Sequence, residues 1–243
     1  MVRAAKARPR AGRARWSALL ALAVVATLVG GCGSSSRKGG WSSFGFGGSS
    51  TPSGPPQPGD LVDLATIDPS IVVEMRYATT NNFTGVAVYP VGRCVLRRDI
   101  AERLQRVQSG LQARGFGLKV WDCYRPISVQ QKFWALVPDA RYVAQPVVHD
   151  GKPIDGSKHN RGAAVDLTLV DASGNDVPMP TDYDDFSDRA SRTILRGDGP
   201  SVRNMRILEV AMVREGFEPL PTEWWHFDGP GWEKYELSDL PLD

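Results

Sequence analysis

The sequence predicts an α+β fold, with helices packed on an antiparallel sheet. Three observations lead there. Stretches of helical and of strand character follow one another without a regular strand–helix–strand repeat. Neither GxGxxG nor a GxxxxGKS/T motif occurs, so nothing supports a nucleotide cradle on a parallel sheet. The chain has 243 residues, 42% of them hydrophobic, which suffices for one sizeable core and excludes wholesale disorder. Its single long apolar stretch is N-terminal, which excludes a polytopic membrane protein.

Each element has a local reason. Residues 71–77 (IVVEMRY) read as a strand, rich in β-branched residues. Residues 97–114 read as a helix: Ile100, Leu104, Val107 and Leu111 recur at helical spacing, and Gly115 suits the C-terminal stop. Residues 118–124 (LKVWDCY) read as a strand that Arg125-Pro126 ends. Residues 128–136 make a short helix, 163–170 (AAVDLTLV) a buried strand, and 202–215 a helix stopped by Gly216. Residues 223–228 (EWWHFD) read as an aromatic strand.

The N-terminus reads as an address. Arg3, Lys6, Arg8, Arg10, Arg13 and Arg15 precede an apolar stretch, 16–29, and then Gly30-Gly31-Cys32. A basic region, a short apolar region and small residues at a cleavage point describe a secretory signal over residues 1–31. The apolar run is about 14 residues, short of the roughly 20 that span a bilayer. Cys32 stands where a bacterial lipoprotein carries its lipidated cysteine, in a loose lipobox; plain signal cleavage or an uncleaved anchor is the alternative. Gly, Ser and Pro fill 20 of the 27 positions 33–59, so residues 32–59 read as a flexible tether and 60–243 as one folded domain. The expected location is the cell envelope, outside the cytoplasm and tethered to a membrane by lipid. The net charge of +2 is misleading, because those six basic residues belong to the address; the remainder is net acidic, which argues against a nucleic-acid partner. No protein partner is indicated.

After Cys32 only Cys94 and Cys123 remain. In an oxidising compartment such a pair suggests a disulfide, worth about 3 kcal/mol by loop closure; two free buried thiols are the alternative.

The chemistry lies in two segments. Residues 157–166 (SKHNRGAAVD) supply His159 and Asp166 with small residues between; residues 223–226 (EWWH) supply Glu223 and His226. Two imidazoles and a carboxylate form a zinc set with one position open for water, and a further carboxylate can serve as general base. Asp166 sits among Ala, Val and Leu, where an unpaired carboxylate is costly; a metal or a nearby arginine would offset that. The third histidine, His149, lies in a Gly/Asp/Pro-rich stretch and reads as a solvated residue.

The segments SKHNRGAAVDLTL and EWWHF closely resemble those of zinc D-alanyl-D-alanine dipeptidases, the type linked to vancomycin resistance and cell-wall dipeptide recycling. RYATTNNFTG (76–85), WDCYRP (121–126) and VPMPTDYDDF (177–186) agree, in the family's order. The resemblance implies the zinc D,D-peptidase fold and one Zn2+ per chain, held by His159, Asp166 and His226. It implies Glu223 as general base, Arg125 as the cation that steadies the oxyanion, Tyr77 and Asp184 as the holders of the dipeptide's ammonium, and Ser157 as a substrate-placing residue. A free dipeptide is then the expected substrate. A D,D-carboxypeptidase or peptidoglycan endopeptidase of the same fold, or a non-catalytic wall-binding lipoprotein, are the alternatives. Two departures stand out: the lipobox with its tether, and Cys123 where the resistance enzymes carry glycine. One point of geometry stays open. Residues three apart on a regular strand face opposite ways, so Glu223 and His226 need a bend to share a site.

Overall fold

The computed structural model describes residues 55–243; the signal segment, Cys32 and the tether up to residue 54 lie outside the described residues. Residues 57–60 are tied to the domain, with the amides of Arg98 and Asp99 donating to the carbonyls of Asp60 and Pro58. No helix among the described residues is long and apolar enough to cross a membrane.

The order begins β1 (Leu61–Asp63), β2 (Val72–Val73), β3 (Val95–Arg97), α1 (Arg98–Gln112), β4 (Phe116–Asp122) and α2 (Ile127–Leu136). It continues with β5 (Val147–His149), β6 (Lys152–Asp155), β7 (Ala164–Asp171), α3 (Pro200–Arg214), β8 (Glu218–Pro219) and β9 (His226–Asp228). Five strands form the main sheet in the order β2-β4-β7-β9-β8; β1 pairs with β3, and β5 with β6. The α+β class holds, with one correction: the sheet is mixed. The β2–β4 pair is parallel, because the connection through α1 returns the chain in the same direction, while every other pair is antiparallel.

The core lies around β4 and β7, which are buried along nearly their whole length. Ile100, Leu104, Val107 and Leu111 of α1 pack into it. Gln108, also buried on α1, accepts from the amide of Leu118 at 2.8 Å and so fixes the helix to β4. Gly115 (φ +78°) and Gly216 (φ +89°) follow α1 and α3 in the left-handed conformation that glycine adopts without strain.

Two expected strands are shorter. Residues 71–77 give only the two-residue β2, and Tyr77 lies on a 3-10 turn, Arg76–Ala78. The carbonyl of Tyr77 accepts from the amides of Val88 and Tyr89, and its ring packs against Phe83, Tyr89 and Phe133, so tertiary contacts pull it from the sheet. Residues 223–228 give only β9, with Glu223 in the turn before it. Cys94 and Cys123 are fully buried and disulfide-bonded, their Cα atoms 5.3 Å apart.

Candidate active site

One rung of the sheet carries much of the site. Asp122 of β4 stands opposite Asp166 of β7, and Asp166 opposite His226 of β9. The register of β4 shifts between Val120 and Asp122, an irregularity that re-aims the strand's end. His159 enters from a 3-10 turn, Lys158–Arg161. Ser157 and Asn160 cap that turn reciprocally, and Gly162 (φ +68°) ends it. A side chain at Gly162 would be strained by its left-handed backbone and would also push against the end of the Leu61 side chain. Asn160 also donates to the carbonyl of Arg125, while the Arg125 amide donates to the carbonyl of His159. The two functional segments are thereby stitched together.

His159 Nε2, His226 Nδ1 and Asp166 Oδ1 converge, at 3.2, 2.9 and 3.4 Å from one another. Tetrahedral bonds of about 2.0–2.2 Å would set ligand atoms about 3.3–3.6 Å apart, so the spacing suits one ion. The outer atoms fix which nitrogens face inward. His159 Nδ1–H donates to the carbonyl of Cys123 at 2.7 Å, and His226 Nε2–H to Asp228 Oδ1 at 2.9 Å. Tyr183 donates its hydroxyl to Asp166 Oδ2 at 2.8 Å, leaving Oδ1 directed at the imidazoles. Two ring nitrogens and a carboxylate oxygen cannot gather so closely without a proton or metal cation among them. The donor set therefore fits a metal held by His159, Asp166 and His226.

The charges follow. Burial disfavours the charged form of His226, but hydrogen bonds to Asp166 and Asp228 outweigh it and raise its pKa to about 10. Burial raises the pKa of Asp166, yet the two histidines hold it well below the ordinary carboxylate range. Burial pushes Glu223 up to about 7, assisted by the charge of Asp166 and opposed by His226, His159 and Arg125. A carboxylate of that pKa is matched to proton transfer near neutrality.

Arg125 is locked. Its Nε donates to Asp122 Oδ2 at 3.0 Å, its Nη2 donates to the same oxygen, and its Nη1 donates to Gln130 Oε1 at 2.7 Å. Asp122 is itself held by the Tyr89 hydroxyl (2.6 Å) and the Cys123 amide (2.9 Å). Burial opposes the charge on Arg125, but Asp122 prevails and keeps its pKa well above normal. Three of the five guanidinium N–H groups are thus committed, which leaves two for a ligand.

Tyr77 donates to Asp184, its hydroxyl 3.1 and 3.2 Å from the carboxylate oxygens. Burial and the charge of Asp166 push Asp184 well above the ordinary carboxylate range. A cation beside it would reverse that shift. Asp184 has a left-handed backbone, φ +58°.

All eight candidates (Tyr77, Arg125, Ser157, His159, Asp166, Asp184, Glu223 and His226) line a single cleft of about 490 Å³. His149 does not; it is exposed at the end of β5. Because Glu223 sits in a turn, it shares the cleft with His226 despite the three-residue spacing. Arg192 secures that turn: its guanidinium donates to the carbonyls of Leu220, Glu223, Trp224 and His226 and to Glu209.

Sequence reasoning missed Asp122, Gln130, Asn160, Tyr183, Arg192 and Asp228. For Asp122 and Asp228 a signal existed: each, like Asp166, is a carboxylate in an apolar strand segment.

A peptidase family model described as D-ala-D-ala dipeptidase matches residues 57–239. The D-alanyl-D-alanine dipeptidase of Escherichia coli is 36% identical over 178 residues, covering 73% of this chain and 89% of the relative. The enzyme of the same name from Enterococcus faecium is 32% identical over 168 residues, covering 63% and 83%. The one from Streptomyces coelicolor is 31% identical over 186 residues, covering 70% and 91%. With a family match across three quarters of its length, all of it within the described residues, the chain belongs to the D-Ala-D-Ala dipeptidase family of peptidases.

Proposed function

We propose that the chain is a zinc-dependent dipeptidase that hydrolyses free D-Ala-D-Ala to D-alanine in cell-wall dipeptide turnover. The observation that carries this is the convergence of His159, Asp166 and His226 in one cleft with Glu223 and Arg125. A zinc ion held by those three residues would supply Lewis acidity toward the scissile carbonyl and the attacking water. Glu223 takes the proton from the attacking water and delivers it to the leaving amine. Burial raises its pKa, which helps it hold the proton between the two transfers. Arg125, fixed by Asp122 and Gln130, directs its remaining N–H groups at the oxyanion, and a planar fork already immobilised loses little entropy in doing so. Tyr77 and Asp184 receive the substrate's ammonium. Ser157, committed to the cap of the His159 turn, sits on the cleft wall and helps place the peptide.

The test is turnover by the purified full chain with one equivalent of zinc. Release of D-alanine from D-Ala-D-Ala, with a stem pentapeptide left intact, is expected. Preferential cleavage of the pentapeptide would replace this reading with a wall carboxypeptidase.

We also propose that the enzyme is exported and lipid-anchored through Cys32. The basic, apolar and small-residue order of residues 1–32 supports this, and so does the Cys94–Cys123 bridge, since such bonds persist in oxidising compartments. There it would act on dipeptide released from the wall. In cells fed labelled fatty acid, label on the parent and none on Cys32→Ala is expected; an unlabelled parent refutes the anchor.

A further inference from the structure

The cleft is larger than two alanines require. At about 490 Å³ it falls in the range, about 300–1,000 Å³, that encloses drug-sized ligands. D-Ala-D-Ala offers only a methyl group on each residue.

The surplus space has a definite chemistry. Beginning at Tyr77, aromatic rings follow one another along the wall. Phe83 lies 6.0 Å from Tyr77, Phe186 5.2 Å from Phe83, and Tyr142 is stacked on Phe186 at 4.9 Å with an interplanar angle of 21°. Phe133 backs the series, 4.6 Å from Tyr77 and 5.0 Å from Phe83. Phe83, Tyr142 and Phe186 are half-buried and line the cleft. Mutual ring contacts preform this wall, so a ligand meets it without ordering loose side chains.

Its position selects what it would touch. Phe186 is two residues from Asp184, and Phe83 packs on Tyr77, which donates to Asp184. A substrate whose ammonium lies at Asp184 has its N-terminal residue next to these rings. Resting on the dipeptidase reading above, we infer that Phe83, Phe186 and Tyr142 form an apolar subsite for the N-terminal side chain. The substrate class then extends to dipeptides whose first residue is large and apolar. Phe186, central in the series, is the specificity-determining residue.

The test compares kcat/KM of the zinc-loaded full chain for D-Leu-D-Ala and D-Ala-D-Ala. A hydrophobic pocket discriminates about 10–200-fold per methylene. The parent is expected to use D-Leu-D-Ala at least as well as D-Ala-D-Ala. In Phe186→Ala the ratio should fall about tenfold, and Phe186→Leu should restore it to within about threefold of the parent, by keeping apolar bulk in place. A parent that favours D-Ala-D-Ala tenfold or more, or a ratio untouched by Phe186→Ala, overturns the subsite while leaving the dipeptidase reading intact. A zinc-loaded parent that hydrolyses neither dipeptide overturns both.

Discussion

On one side of the cleft, Asp166 and His226 face each other across adjacent strands, and Asp122 continues the same rung to hold Arg125. On the other side, Asp184, Phe186 and Tyr142 come from segments without regular secondary structure. The first side is buried, and each inward-facing group has a partner that fixes its orientation. The second is half-buried and rests on ring contacts. The contrast separates two demands. Metal chemistry tolerates errors of only a few tenths of an ångström, so two of its three ligands sit on paired strands and the third on a capped turn; selection of a side chain tolerates more, so it sits on loops.

The largest expected effect comes from Glu223, in the turn that leads into the strand side. Glu223→Gln keeps the shape of the turn that Arg192 fastens but removes the proton acceptor. A kcat loss of about 10²–10⁴ is expected, with zinc still bound at one per chain. Metal analysis beside the kinetics checks this; loss of the metal together with the activity would make Glu223 a ligand instead of a base. The pH profile carries the same information. Only ionised Glu223 accepts a proton, so activity should fall as the pH drops through its pKa. That pKa is about 7 without a metal, and a dication nearby lowers it, so the acid limb belongs at or below about 7. In Glu223→Gln that limb should vanish.

A middle effect distinguishes the two sides directly. Asp228→Ala leaves His226 Nε2 without its acceptor, so zinc affinity should weaken about 10–100-fold in a competition titration with a chelator. Asp184→Asn touches no metal ligand. It should leave zinc affinity alone and lower kcat/KM for the dipeptide about 10–100-fold, the value of a hydrogen bond to a charged group. If Asp184→Asn weakens zinc binding as much as Asp228→Ala does, the division between the two sides is false.

The two sides also differed in how far they could be read from residues. His159, Asp166 and His226 stand out because histidine is scarce here and a carboxylate in an Ala/Val/Leu strand demands a partner. The same cost argument applied to Asp122 and Asp228, whose partners Arg125 and His226 lie only three and two residues away in the same segments. Tyr183 and Asn160 leave no such trace, because a Tyr or Asn is unremarkable until its hydrogen-bond partner is known. The Glu223 turn was hidden for a related reason. EWWH has strand composition, and what bends it is Arg192, 31 residues earlier, gathering four carbonyls. The aromatic wall was equally hidden. Phe83, Tyr142 and Phe186 are spread over a hundred residues and share no motif that local periodicity could reveal.

The smallest expected effect belongs to His149, the one histidine outside the cluster. It ends β5 of the β5–β6 hairpin, exposed, with Asp150 3.3 Å from its Nδ1. It borders no part of the cleft, and its neighbour is a solvent-facing carboxylate that water can replace. His149→Ala should therefore leave zinc stoichiometry, zinc affinity and kcat/KM within about twofold of the parent, and stability within about 0.5 kcal/mol. His159→Ala, ten residues along the chain but inside the cluster, should abolish stoichiometric zinc binding. The pair of variants uses the same chemical deletion in two settings, so any difference between them measures the setting alone. Equal losses would mean that His159 is not a ligand of the ion.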